Sequence, residues 1–204
     1  VQLSIGGAPL FKACTIAVEA GQIVTVMGPS GSGKSSLLAF ASGTLGPAFD
    51  VQGRIEIDRE DITGLAPENR RLGLLFQDDL LFPHMSVAEN LAFGLPSSLR
   101  GRDRADAVEK ALEEAELIGM GKRDPATLSG GQRARVSLMR TLLSGPRALL
   151  LDEPFGRLDQ DLREWVRRFV FAHAKRRNLP TLLVTHDPDD AAAAGGPIFK
   201  LEQP

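Results

Sequence analysis

Residues 28–35 carry the clearest chemistry in the chain. They read Gly28-Pro29-Ser30-Gly31-Ser32-Gly33-Lys34-Ser35, with Ser36 next, which matches the pattern G-x-x-x-x-G-K-[ST]. Glycines at these spacings let successive backbone N–H groups turn toward one anion. A helix starting just after them adds its partial positive charge. In such a loop a lysine brings a cation to the β- and γ-phosphates of a nucleoside triphosphate, and the following hydroxyl meets Mg²⁺. Lys34 and Ser35 take those places. No Asn-Lys-x-Asp run for reading guanine occurs in the chain, which favours adenine. The expected ligands are ATP and Mg²⁺.

Two further clusters fit the same chemistry. Asp152 and Glu153 end the apolar run Ala148–Leu151. The first acid there can hold the Mg²⁺ shell and the second can orient the attacking water. Thr185-His186-Asp187 ends the apolar run Leu179–Val184. His186 can donate to a γ-phosphate, and it fits a structural histidine as well. His84 and His173 are read as structural. A third cluster, Leu128-Ser129-Gly130-Gly131-Gln132, opens a helix predicted to run to Ser144. Its hydroxyl and N–H groups at a helix start make a second anion site.

These residues need strands that deliver them to one crevice. Gln22–Met27, Leu72–Phe76, Ala148–Leu151 and Leu179–Thr185 read as buried strands, with a last strand at Ile198–Leu201. Val1–Ile5, Thr15–Val18 and Arg54–Asp58 read as shorter strands of a second kind. Helices are predicted at Lys34–Ser42, Ser86–Leu95, Arg104–Met120, Gln160–Asn178 and after Pro188. Ser86 with Glu89 forms a capping-box pattern. Ala105, Val108, Leu112, Ala115 and Ile118 form the apolar stripe of the third helix. Strands alternating with helices imply an α/β fold with a mainly parallel sheet, interrupted by a helical insertion.

Composition limits the alternatives. The chain has 204 residues, 43% hydrophobic and 25% charged, with a net charge of −2, as in an ordinary globular protein. One cysteine, Cys14, excludes an internal disulfide and a cysteine-rich zinc site. No run of about 18 apolar residues exists to cross a bilayer. Residues 1–20 lack the basic and apolar regions of a secretory leader.

The ordered motifs resemble the ATP-binding subunits of ABC transporters. They are the phosphate loop at 28–35, a Q-loop glutamine in Leu75-Phe76-Gln77, the signature Leu128–Gln132, and Leu149-Leu150-Leu151-Asp152-Glu153-Pro154. A D-loop aspartate in Arg157-Leu158-Asp159 and the switch histidine His186 complete the series. The run Gln77–Pro83 and Arg123-Asp124-Pro125 resemble the importer type, in its short form without a C-terminal regulatory domain. The resemblance implies a P-loop NTPase core of RecA-like type, a small N-terminal antiparallel β subdomain and an inserted α-helical signature subdomain. Residues 1–77 and 146–204 would form the nucleotide-binding core, and 78–145 the helical part, of one ATPase domain.

The resemblance also implies roles. Lys34 meets the phosphates, Ser35 and Gln77 meet Mg²⁺, and Asp152 meets its water shell. Glu153 polarises the attacking water and His186 holds the γ-phosphate. Ser129 and Gly131 close the site of a partner subunit in a head-to-tail homodimer, and Asp159 carries communication between sites. An integral-membrane permease, indirectly a substrate-binding protein, and a peripheral place on the cytoplasmic face of the membrane are expected. Nucleic acid is not expected as a partner. Export, or a soluble role in DNA repair or translation, are the alternatives. Residues Asp79–Met85 are the expected docking region, although Leu80, Leu81, Phe82 and Met85 suit a core equally. Two departures from the family stand out. Its adenine-stacking aromatic falls on Ile5, in a chain without tyrosine, leaving Ile5 or nearby Phe11 for the base. Phe155-Gly156-Arg157 also stands where small or polar residues are usual.

Overall fold

The first strand, β1 (Gln2–Ile5), pairs antiparallel with β2 (Ala8–Pro9) and with β4 (Phe49–Gln52), Leu3 facing Val51. Between them come β3 (Ile23–Met27) and helix α1 (Lys34–Ser42). A hairpin of β5 (Glu56–Ile57) and β6 (Glu60–Asp61) turns through Asp58 and Arg59, both with positive φ. Positive φ at both central residues matches a type I′ turn and so the strand twist. The short helix α2 (Pro67–Arg70) then leads into β7 (Leu72–Leu75). Three helices follow: α3 (Val87–Gly94), α4 (Gly101–Glu114) and α5 (Gly130–Leu143). The chain ends with β8 (Ala148–Asp152), α6 (Gln160–Arg176), β9 (Thr181–Val184), α7 (Pro188–Ala194) and β10 (Ile198–Lys200). This computed structural model describes residues 1–156, 158 and 160–204, the side chain of Asp161 apart.

The main sheet is parallel, in the order β10-β3-β9-β8-β7. Its strands are apolar on both sides, as a sheet covered by helices requires. Register aligns Val26 with Val184 and Val184 with Asp152. The strands β3, β9 and β8 therefore end level, and their loops leave from one edge.

The chain divides into two compact units. The first comprises residues 1–74, 147–153 and 171–204; the second comprises 75–146 and 154–170. Residues 154–170, expected with the core, thus group with the helical unit. In the first unit, α1 turns Leu37, Leu38, Phe40 and Ala41 onto Val26, Leu150 and Val184, all nearly inaccessible to solvent. Each large side chain so buried contributes about 1.5–3 kcal/mol. In the second unit α3 lies on α5, and Ser86 caps α3 reciprocally with Glu89.

Two expected elements differ. Thr15–Val18 forms no strand; the segment lies along a cavity of about 710 Å³ that Cys14, Ile16, Ile55, Leu72 and Leu149 help to line. Ile16, Ala17 and Val18 follow Thr15 as an apolar run, but no described strand pairs with the segment. The helix predicted over Arg104–Met120 starts at Gly101 and ends at Glu114. Glu116 takes a positive φ, which breaks the helix, and Ile118 is 74% exposed rather than part of the stripe.

Candidate functional site

The loop after β3 is shaped by glycine and by what lies under it. Gly33 has φ +88 and caps α1, and a Cβ there would meet the Phe11 ring at 2.9 Å. A left-handed backbone packed on a ring admits only glycine at low cost. Phe11 itself is fully buried, so it supports the loop and is not available to a base. That removes one of the two expected adenine contacts. Ile5 is 44% exposed at the end of β1.

Lys34 is 6% exposed, and its ammonium donates to the carbonyls of Gly28 and Pro29, both at 2.8 Å. Those carbonyls curl the loop around the cation. Ser32 Oγ is buried without a hydrogen-bond partner among the described residues. A buried hydroxyl left so is costly, and it fits a loop whose polar groups await phosphate oxygens. Pro29, Ser30 and Gly31 are exposed, Gly31 with φ +77, and Ser36 is half-buried.

Ser35 and Asp152 meet at the ends of α1 and β8. Ser35 Oγ donates to Asp152 Oδ1 at 3.1 Å. Partial burial pushes the Asp152 carboxyl above its ordinary range and Glu153 adds to this, while the Ser35 hydroxyl and Lys34 oppose it. A hydroxyl beside a carboxylate is an all-oxygen donor pair, the kind Mg²⁺ takes while keeping waters and phosphate oxygens. These residues fit that ion.

Glu153 occupies a left-handed backbone, φ +46. Non-glycine residues there are uncommon and cost free energy, and they cluster at functional sites. Its N–H donates to Val184 O at 2.9 Å, and its carboxylate lies 3.1 Å from His186 Nδ1. The His186 side chain is 63% exposed. Sequence reasoning identified both residues but not the strained turn that joins them. Phe11 and the buried Thr185 and Asp190 were missed as supports. An apolar residue ahead of a glycine loop, and a threonine five residues before an aspartate across the start of a short helix, are the signals that point to them.

In the second unit the signature turn is built as a helix start. Ser129 caps α5, its Oγ accepting from Gln132 N–H at 3.3 Å while Gln132 Oε1 accepts from Ser129 N–H at 2.9 Å. Ser129 is exposed and Gly130 half-exposed, whereas Leu128 and Gly131 face inward. A Cβ on Gly131 would collide with the Leu162 side chain, which would have to shift. Arg133 donates to Leu128 O at 2.7 Å and pairs with Asp79 at 3.3 Å. Gln77 is exposed in this unit. Arg157 and Asp159 lie outside the described residues, and Phe155 is fully buried.

Comparison with known proteins agrees with this geometry. The ABC transporter family model matches residues 11–156. The ABC transporter ATP-binding protein YnjD of Escherichia coli is 46% identical over 95% of this chain and 89% of its own length. The Fe(3+) ions import ATP-binding protein FbpC of Agrobacterium fabrum is 40% identical over the whole chain and 57% of its own length. The spermidine/putrescine import ATP-binding protein PotA of Nitrosomonas europaea is 42% identical over 92% of the chain and 52% of its own length. The chain thus spans nearly all of the first and little more than half of the other two. A solved dimeric structure of the ATP-binding cassette MJ0796, in a post-hydrolysis state bound to ADP and Pi, superposes with a TM-score of 0.76. It is 27% identical and covers 98% of this chain and 90% of that one. With a phosphate loop, paired acids and a signature turn on this fold, the chain belongs to the ABC transporter family as an ATP-binding subunit and ATP hydrolase.

Proposed function

We propose that this ATPase powers import across a membrane through a separate integral-membrane permease, with ATP held between two copies of the chain. The observation that carries the catalytic part is the meeting of Ser35 with Asp152 and of Glu153 with His186 at the level ends of β3, β8 and β9. Ligands of open α/β sheets bind at that edge. The relatives named as import ATP-binding proteins support the direction of transport. A dimeric relative supports the pairing.

In this reading the residues Gly28 to Ser36 cradle the phosphates and Lys34 neutralises the β- and γ-oxygens. Ser35, Asp152 and Gln77 hold Mg²⁺, which when bound offsets charge developing on the phosphates. Glu153 orients and deprotonates the attacking water, and His186 donates to the γ-phosphate. Ile5 gives the base an aliphatic contact. Ser129 and Gly131, within the turn Leu128, Ser129, Gly130, Gly131 and Gln132, close the site of the partner's nucleotide, and Asp159 couples the two sites. A second phosphate-grade helix start in the chain is explained if it serves the other copy. No described helix is long and apolar enough to cross a membrane. In this reading the path for cargo belongs to the permease, and the subunit works peripherally at the cytoplasmic face, as the import relatives suggest. Leu80 is 58% exposed with φ +46, and Phe82 packs on the 60%-exposed Phe93 at 4.6 Å. That apolar surface after Gln77 is where the permease docks. A substrate-binding protein would meet the permease, not this subunit.

Glu153→Gln tests the assignment. The variant is expected to bind ATP, lose hydrolysis by about 10²-fold or more, and accumulate as an ATP-bound dimer on size exclusion. Normal turnover would remove Glu153 from the catalytic role.

A further inference from the structure

The turn that carries His186 is held from beneath by two buried polar groups. Thr185 and Asp190 are 2% and 3% exposed. Thr185 Oγ1 donates to Asp190 Oδ2 at 2.9 Å and accepts from the Asp187 N–H at 3.0 Å. One hydroxyl therefore ties the residues on both sides of His186 to the first turns of α7. The Thr185 N–H adds a bond to Val26 O at 3.3 Å, on the strand that enters the phosphate loop.

Capping does not account for Asp190. Asp187 already caps α7, its Oδ1 accepting from the Asp189 N–H at 2.8 Å. Burying a carboxyl is costly unless it is hydrogen-bonded, and the bond from Thr185 reaches Oδ2. Here it fixes the rotamer of Thr185, and through it the backbone at 185–187, while the imidazole stays exposed and 3.1 Å from Glu153.

We infer that Asp190, acting through the Thr185 hydroxyl, is a positioning residue that sets where His186 stands against Glu153 and the γ-phosphate. The inference rests on the reading of His186 as a phosphate contact. Losing the brace widens the conformations open to the turn, and displacement of a catalytic group by about 1 Å can cost 10²-fold in rate. Binding of ATP through the loop at Gly28–Ser35 needs neither residue.

Steady-state ATP hydrolysis by the full chain tests it. Thr185→Val keeps the shape and removes the hydroxyl; Thr185→Ser keeps the hydroxyl. Thr185→Val and Asp190→Ala are expected to lower kcat about tenfold with KM for ATP within about twofold, and Thr185→Ser to match the parent. In a His186→Ala background, Asp190→Ala is expected to add less than about twofold, because the group it positions is gone. An equal loss in both backgrounds would show a general structural role and overturn the inference. If Asp190→Ala does not fold, Thr185→Val decides alone, and kcat within about twofold of the parent overturns the brace. Unchanged turnover in His186→Ala would overturn the reading of His186 and the inference with it. Loss in His186→Ala beside no loss in Thr185→Val would overturn the brace only.

Discussion

Asp152 shows how a site residue can be held at a cost to the fold. Its carboxyl is raised above the ordinary range first by burial and then by Glu153, against the Ser35 hydroxyl and Lys34. A carboxyl raised on folding binds its proton more tightly in the native state. The contribution of this group to stability is therefore greatest below the ordinary carboxylate value of about 4 and is lost as pH rises through the raised folded value. At neutral pH the protein carries the whole cost of the half-buried charge. Asp152→Asn is expected to raise the Tm of the nucleotide-free protein at pH 7.5. The gain should vanish in acid, and Mg²⁺-dependent hydrolysis should fall in the same variant. A lower Tm at pH 7.5 would show that the Ser35 bond outweighs burial. The identities of Asp152, Glu153 and His186 were legible in the sequence because each ends an apolar strand. The left-handed backbone of Glu153 was not, since no residue type announces it.

Elements were legible where local chemistry alone decides them. Helix α1 begins after Gly33 and ends before Gly43, both left-handed, and the sequence marks both ends. The capping boxes at Ser86 and Ser129 were equally plain, in the first case as a pattern and in the second as a helix start. Thr15–Val18 failed because a strand needs a pairing partner, which a short local run cannot supply. Arg70 is marked by no local sequence signal. It is 5% exposed, and its guanidinium donates to Phe40 O at 2.7 Å, Ala41 O at 2.8 Å, Leu65 O at 3.0 Å and Thr63 O at 2.5 Å. The first two are carbonyls of the last turn of α1, where Phe40 O also accepts from the Gly43 N–H at 3.1 Å. Burial lowers the Arg70 pKa, yet the carbonyl cage holds it. Removing it leaves several buried carbonyls unsatisfied, at about 1–3 kcal/mol for each group affected. Arg70→Leu is expected to destabilise the first unit by about 3 kcal/mol or more, read as a lower urea midpoint. A midpoint unchanged from the parent would mean that water replaces the guanidinium.

At the scale of the whole molecule, two phosphate-grade helix starts in one chain raise the question of which nucleotide each serves. The loop at Gly28–Ser35 has Asp152 beside it in the first unit, whereas the Ser129 turn stands in the second. A head-to-tail dimer gives each nucleotide one of each, and two-fold symmetry makes two such sites. Mixing inactive variants distinguishes this from a site built within one chain. Lys34→Ala removes the phosphate cation, and Ser129→Glu sets a negative charge where the γ-phosphate would meet the signature; each alone is expected to be inactive. In the mixed dimer, the intact loop of the Ser129→Glu chain faces the intact signature of the Lys34→Ala chain, while the opposite site carries both lesions. Mixing the two is expected to restore one turnover per dimer, measured as a single-turnover burst of phosphate near half the parent's amplitude per dimer formed. The burst should depend on concentration, because the competent site exists only in the associated state. If each chain held a complete site, every site in the mixture would keep its own lesion, and no ratio of the two variants would release phosphate.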